Sequence, residues 1–435
     1  MRLHGFPSRE RGVTLIELMV ALVVGMILSV AMFMVMSTAE GRKRTITSTS
    51  DANQVGNYAM VLLDQWLRNA GNGFTRSAAY SFGCKLKAYR KGTQILPTAN
   101  NAKLPSPFDK VKIGTSDSTI GVFRLAPVLI LPGQTTPGVS KKTSDVLVIM
   151  GGAAGTGGVP VPFSGLPTAS QLTMSNTTAF AADDLVLLTS KAPAVGANNE
   201  GEHEDHGRAI TTFNAADCII EQVGSTSSSS LGLDGDYHDT NNHPESLTDK
   251  SSAMVLGNVS ASRPPQFLVI GVGDNNTLYS YDLLNTTGAT TPAALARADG
   301  VFELHALYGI DNNCDGRISS DEWVSPTDRT YSVSALMAGS MQEPINSPVD
   351  ATARLTACAT LTTANDFLQK ILAIRVGLIL RTNLPEKTAV TTADLALFSD
   401  LDDLKFTRPV KGQEQNYRYR TVELTIPLRN PLMLP

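Results

Sequence analysis

Residues 13–39 read VTLIELMVALVVGMILSVAMFMVMSTA. Of these 27 positions 21 are apolar, and Glu17 is the single charged side chain. As a helix rising 1.5 Å per residue the stretch measures about 40 Å, enough to cross the roughly 30 Å hydrocarbon core of a bilayer. In front of it stands MRLHGFPSRERG, with Arg2, Arg9 and Arg11 against one acid, Glu10; behind it come Arg42, Lys43 and Arg44. Positive charge at both ends leaves the orientation open by loop-charge reasoning. A secretory signal would carry a shorter apolar region, about 7 to 15 residues, with a small-residue cleavage site behind it. Here the natural cleavage point, Gly12, lies in front.

Composition narrows the rest. The chain has 435 residues, with 36 Lys+Arg against 40 Asp+Glu and a net charge of −4, so there is no basic footprint for nucleic acid. With 42% hydrophobic and 17% charged residues it is neither a highly charged disordered chain nor a multispanning membrane protein.

The run RGVTLIELMVAL closely resembles the type IV prepilin signature, a basic leader ending in Gly and followed by an apolar residue and TLIE. The resemblance implies a leader over 1–12, cleavage after Gly12 by a prepilin peptidase, and N-methylation of Val13. It implies a transmembrane and filament-core helix over 13–40 and an amphipathic continuation over 41–73. Residues 74–435 would form the exported head. Glu17 becomes the fifth residue of the mature chain, where the family places its acid, and its implied partner is a neighbouring subunit's terminal ammonium. An unpaired carboxylate among Leu15, Ile16, Leu18 and Met19 is expensive in an apolar medium. The plain alternative is an acid stabilised by the helix dipole close to the membrane surface.

Beyond the apolar run, Val55, Ala59, Leu62, Leu63, Trp66 and Leu67 recur at spacings of three and four and predict one buried helical stripe. Gly71 and Gly73 are stop signals. The segment LLDQWLRNAGNGF resembles the end of the long helix in PilW-type minor pilins. Strands are predicted at 146–150, 184–190, 265–272 and 277–284, the last two joined by the turn GDNN. Segments 371–382 and 417–430 alternate, with Leu372, Ile374, Val376, Leu378 and Leu380 on one face and Val422, Leu424 and Ile426 on another; both are expected to be central antiparallel strands. The Ile-Pro-Leu-Arg-Asn near the end is again similar to PilW-like proteins. Segments 151–160, 196–207 and 224–246 read as long irregular insertions. The fold expected is α+β, pilin-like, with a long N-terminal helix and a large antiparallel β head.

The strongest chemical signal is DNNCDGRISSDE, residues 311–322, which satisfies the calcium-loop spacing in full. Asp311, Asn313, Asp315, Ser319 and Glu322 offer side-chain oxygens, Arg317 its backbone carbonyl, and Gly316 the sharp turn. Such hard oxygen donors suit Ca²⁺. The alternative is an Asp/Asn/Gly turn whose side chains cap its own backbone. The preceding VFELHALYGI reads as a strand, so no helix-loop-helix unit is expected. Four cysteines, Cys84, Cys218, Cys314 and Cys358, favour two disulfides in an exported domain, with three connectivities open; the preferred pairs are Cys84 with Cys218 and Cys314 with Cys358. His203, Glu204, Asp205 and His206, with His238 and His243, could hold a transition metal, although a solvated acidic loop explains them better. No nucleophile elbow, phosphate loop or zincin motif is found, so no enzyme is expected.

The resemblance implies a minor pilin needed for assembly or priming of type IV pili, supporting twitching, adhesion or DNA uptake. It would be single-pass in the bacterial inner membrane and then move to the cell-surface pilus. Its partners would be the major pilin, other minor pilins, the prepilin peptidase and N-methyltransferase, the assembly platform, and the bilayer before assembly. The alternatives are a minor pseudopilin of type II secretion and a pilus-tip adhesin.

Overall fold

The computed structural model describes residues 12–75, 81–97, 104–111, 123–135, 143–153, 158–189, 210–211, 217–242, 244–261, 264–286, 292–328, 331–333, 340–341 and 368–429. The chain divides into two compact units, Met1–Asn53 and Gln54–Pro435.

In the first unit, the helix α1 (Leu15–Arg68) begins immediately after Thr14. Its apolar side chains are exposed, including Ile16, Leu22, Phe33 and Met36. Three of its hydroxyls turn back onto their own helix. Ser29 Oγ donates to the Gly25 carbonyl at 2.8 Å, Thr38 Oγ1 to Met34 at 2.9 Å and Thr45 Oγ1 to Gly41 at 3.1 Å. Hydrocarbon supplies no hydrogen-bond partner, and this back-bonding supplies one within the helix.

In the second unit the last turns of α1 bury the predicted stripe. Ala59, Leu63 and Leu67 are fully buried, while Val55 and Trp66 are half-buried against the same core. Each leucine contributes about 1.5 to 3 kcal/mol by leaving water. Gly56 faces the sheet closely enough that an added Cβ would fall on Leu380 Cδ1.

Two sheets carry the charged loop and the buried ionisable groups of the head. The first comprises β1 (Val128–Thr135), β2 (Ser144–Gly151), β3 (Gln266–Gly273), β4 (Thr277–Asp282) and β5 (Leu295–Asp299). They lie in the order β5-β4-β3-β2-β1, antiparallel throughout. The second comprises β6 (Val301–Ile310), β7 (Trp323–Val324), β8 (Ile371–Arg381) and β9 (Tyr419–Pro427), in the order β7-β6-β8-β9. The predicted strands all form, but 417–430 yields an edge strand, β9, rather than a central one. The predicted face of β8 also changes at one position. Gly309 pairs with Ala373 and Ile310 with Ile371, so Leu372 is the extra residue of a bulge and Ile371 joins the main core in its place.

A third sheet of eight strands includes one parallel pair, Lys85–Arg90 against Asp217–Thr226, a departure from the expected all-antiparallel head. Leu86 sits opposite Cys218 in that register, and the adjacent Cys84 is bonded to Cys218 with a Cα–Cα distance of 5.7 Å. The segment 224–246 is more ordered than its Ser-rich composition suggests. Ser230–Leu233 is a strand with Leu231 and Leu233 buried.

The end of α1 is fastened by backbone. The Gly71 N–H donates to the Met150 carbonyl at 2.8 Å and the Gly152 N–H to the Asn72 carbonyl at 2.7 Å. Gly71 and Gly73 have φ of 78° and 86°, which explains the glycines where the helix stops. The glycines after β2 permit a close backbone approach, where the sequence reads as an insertion. A Cβ on Gly152 would press on the carbonyl oxygens of Leu256 and Asn72. Carbonyls fixed in this way cannot rotate aside, so Gly152→Ala is expected to lower stability by about 1 to 3 kcal/mol. Thermal unfolding of the purified chain checks this; an unchanged midpoint would contradict the packing described.

Candidate functional site

Gly12 and Val13 precede α1, with Val13 exposed. Thr14 and Glu17 then satisfy one another. The Glu17 N–H donates to Thr14 Oγ1 at 3.3 Å and the Thr14 N–H to Glu17 Oε2 at 3.5 Å. This reciprocal pattern is a capping box, in which two of the four orphan N–H groups of a helix start find partners. The acid of the TLIE motif thus has a local structural role in the uncleaved chain, and its negative charge lies at the positive end of the helix dipole.

The loop 311–322 hangs from the end of β6, as expected. The Asp311 N–H donates to the Lys370 carbonyl at 2.9 Å, fixing the loop to the residue before β8. Asp311, buried, accepts from the Gly316 N–H at 2.9 Å and the Asp315 N–H at 3.1 Å. Asn313 Oδ1 accepts from the Asp315 N–H at 3.0 Å, and Asp315 Oδ1 from the Arg317 N–H at 2.8 Å. Glu322, 2% exposed, closes the loop: Oε1 accepts from the Asn312 N–H at 2.9 Å, and Oε2 from the N–H and hydroxyl of Ser319 at 2.9 and 2.8 Å. Gly316 has φ 77°, which the sharp turn requires.

All six expected ligand residues therefore share one compact loop, but as placed their carboxylates face backbone donors. Among the described residues no three His, Cys, Asp or Glu side chains converge as a metal site. The chemistry of the set is still that of hard oxygen donors. Burial, with the nearby charges of Glu322 and Asp315, raises the Asp311 carboxyl above its ordinary value despite its two backbone donors.

Of the remaining candidates, Cys84 and Cys218 pair as preferred, closing a separation of 134 residues, a link worth about 2 to 4 kcal/mol. Cys314, with φ 59°, is also disulfide-bonded. Cys358 lies outside the described residues, as do His203, Glu204, Asp205, His206 and His243. His238 Nδ1 lies 2.8 Å from Glu221 Oε2, and Asn242 Nδ2 donates to Glu221 Oε1 at 2.7 Å. Burial pushes the Glu221 carboxyl up to about 8, so this group is a buried acid in a hydrogen-bonded cluster.

The sequence reading missed a second charged cluster, on the face of β6 away from the main core. His305 Nε2 lies 3.2 Å from Glu303 Oε2, and its Nδ1 lies 3.7 Å from Asp145 Oδ2. Arg408 Nε donates to Glu303 Oε1 at 2.8 Å, and Phe406 stacks on the imidazole at 3.8 Å. Asp145 Oδ2 also accepts from the Ala306 N–H at 3.0 Å, and Ser144 Oγ from the Leu304 N–H at 2.9 Å. Side chains of β2 thereby satisfy the edge of β6 beyond the short β7. The usable sequence signal was a pair of ionisable groups at alternate positions of an otherwise apolar strand.

Two family models match the chain. The prokaryotic N-terminal methylation motif covers residues 7–33, and the type IV pilus-assembly protein W family covers residues 267–430, from β3 through β9. Together the two matches support a PilW-like type IV pilin. The first match falls on the Thr14–Glu17 box and the start of the apolar helix; the second contains the loop 311–322. No curated protein and no solved structure matches. With the motif and the exposed apolar helix together, the pilin is membrane-anchored.

The His305 cluster gives this pilin a pH dependence. Burial alone would lower the imidazole's pKa, but hydrogen bonding and charge from Asp145 and Glu303 prevail and raise it to about 9 from 6.5. A raised folded-state value means the contribution is fully present below pH 6.5 and is lost as pH rises through about 9. The thermal midpoint of the pilin should therefore fall across that window more steeply than that of His305→Gln, which should start lower. Parallel pH curves would contradict it.

Proposed function

We propose that this pilin is a minor subunit that acts in the assembly or priming of type IV pili. A prepilin peptidase would cut after Gly12 and its methyltransferase activity would modify the Val13 amine. The protein would sit in the inner membrane with its head in the periplasm and then enter the surface pilus. There it would contact the major pilin, other minor pilins and the assembly platform, in support of twitching, adhesion or DNA uptake. The observation that carries the reading is Glu17, a lone acid in a box with Thr14 at the head of an otherwise uncharged apolar segment. Cleavage after Gly12 puts a new ammonium one residue before Thr14. Transfer of a subunit from lipid to an apolar helix bundle then favours pairing Glu17 with the terminal ammonium of a neighbour, because an unpaired carboxylate there is costly.

Glu17→Ala and Glu17→Val should both be found in the membrane fraction in normal amounts and be absent from sheared pili. Normal incorporation of either variant would overturn the proposal. A deletion strain separates the reading from its rival: loss of surface pili supports it, whereas loss of exoprotein secretion with intact pili would identify a pseudopilin.

A second part of the proposal concerns the loop 311–322, which we infer takes up Ca²⁺. Support comes from the oxygen-only donor set at the calcium-loop spacing and from the left-handed Gly316 at the sixth position. Glu322 and Asp315 also push the Asp311 carboxyl up by like-charge repulsion, which a bound cation would relieve. When bound, the ion would neutralise Asp311, Asp315 and Glu322 and tie the end of β6 to the segment before β7. Millimolar Ca²⁺ should raise the thermal midpoint of the pilin, and Asp315→Ala should abolish that rise. No shift, or the same shift in the variant, would remove the site.

A further inference from the structure

At the tip of the β3–β4 hairpin a pocket of about 480 Å³ is lined by Asn275, Asn276, Thr277, Asp299, Arg381 and Asn383. That volume lies in the range of small-molecule sites, about 300 to 1,000 Å³. Three chain segments meet there for backbone reasons. The hairpin turns at Asn275 and Asn276, whose φ of 61° and 56° are left-handed values that asparagine tolerates better than most residues. Asp299 ends β5, and the carbonyl of the next residue, Gly300, accepts from the Arg381 N–H at 2.9 Å, placing the end of β8 beside it.

The polar groups that line the pocket are left almost unused by the described residues. Asn276 is 8% exposed, yet its amide makes no hydrogen bond to any described residue. Neither atom of that amide is buried without a partner, so the group stays open to whatever enters the pocket. The amides of Asn275 and Asn383 are equally uncommitted among the described residues. Arg381 has no ion pair among the described residues; its guanidinium carbon lies 4.2 Å from the Tyr417 ring centroid and 5.0 Å from that of Phe302, and its Nε is buried without a partner. The rings hold the planar group, and the Tyr419 hydroxyl interacts with it as well. Among the described residues Asp299 accepts from Thr277 Oγ1, at 2.9 Å, and does not pair with Arg381 although both line the pocket.

We propose that this pocket binds an acidic saccharide, a uronate unit. The fork of Arg381 takes the carboxylate, as guanidinium geometry favours. The ring hydroxyls, each both donor and acceptor, meet the amides of Asn275, Asn276 and Asn383 and the second carboxylate oxygen of Asp299. A phosphate dianion offers at most one O–H donor to the amide carbonyls and brings twice the negative charge of a uronate toward Asp299. An apolar ligand would strand every one of these groups. Saccharide binding here is independent of the assembly role proposed for Glu17.

The test uses the full-length pilin in detergent micelles, with galacturonate as the probe and galactose, acetate and inorganic phosphate as comparisons, read by titration calorimetry and saturation-transfer NMR. Galacturonate should bind at least about tenfold more tightly than any of the three, the effect of one well-made charged or paired contact. Asn276→Gly is the informative variant, because glycine is at ease at positive φ. It should keep or raise the thermal midpoint while weakening galacturonate binding about tenfold, the loss expected from one hydrogen bond of that kind. Arg381→Lys should bring galacturonate down to the level of galactose. Absence of galacturonate binding, equal or tighter binding of any comparison ligand, or full binding by Asn276→Gly would overturn the assignment.

Discussion

The head depends on how closely two backbones can approach where α1 ends. Gly71 bonds to Met150 and Gly152 bonds to Asn72, so the helix terminus and the end of β2 share hydrogen bonds as if they were neighbouring strands. A side chain on Gly152 would occupy the space that those bonds need. With that junction made, the stripe of Ala59, Leu63 and Leu67 has one place to bury itself. The five-stranded sheet is held at β2, and β2 in turn offers Ser144 and Asp145 to β6. The four-stranded sheet, and the loop after β6, inherit their positions from that chain of contacts.

Much of this order can be read from the sequence because the signals are local. The apolar stripe from Val55 to Leu67 lies on one helix, and alternation in 301–310 and 371–382 spans a single strand. What escapes is whatever a distant segment decides. Nothing around Glu303 announces Arg408, which is 105 positions away, and the apolar context made the strand look uniformly hydrophobic. The bulge at Leu372 depends on Gly309 and Ile310 across the ladder, so alternation alone left Ile371 out of the main core. Ser230–Leu233 was hidden by serine and glycine, although Leu231 and Leu233 keep the two-residue period. The loop 311–322 illustrates the opposite case, where spacing brings the residues together and still leaves two uses for the same oxygens, capping and cation binding.

Electrostatics in the head follows one rule, that a buried charge must find a partner or change its protonation. His305 finds Asp145 and Glu303 and stays protonated well above its usual range. Glu221, with an amide and an imidazole for company, is pushed toward its neutral form. Arg381, half-buried, lies against the faces of Phe302 and Tyr417.

The back-bonded hydroxyls of Ser29, Thr38 and Thr45 bear on traffic between environments. Each carries its partner with it, so none has to be released or re-formed when lipid is exchanged for the flank of another helix. The work of moving the segment then reduces to trading one set of dispersion contacts for another, a nearly level exchange. A segment of that kind is nearly indifferent to which apolar surroundings it occupies, and the single acid at its tip is the one group that is not.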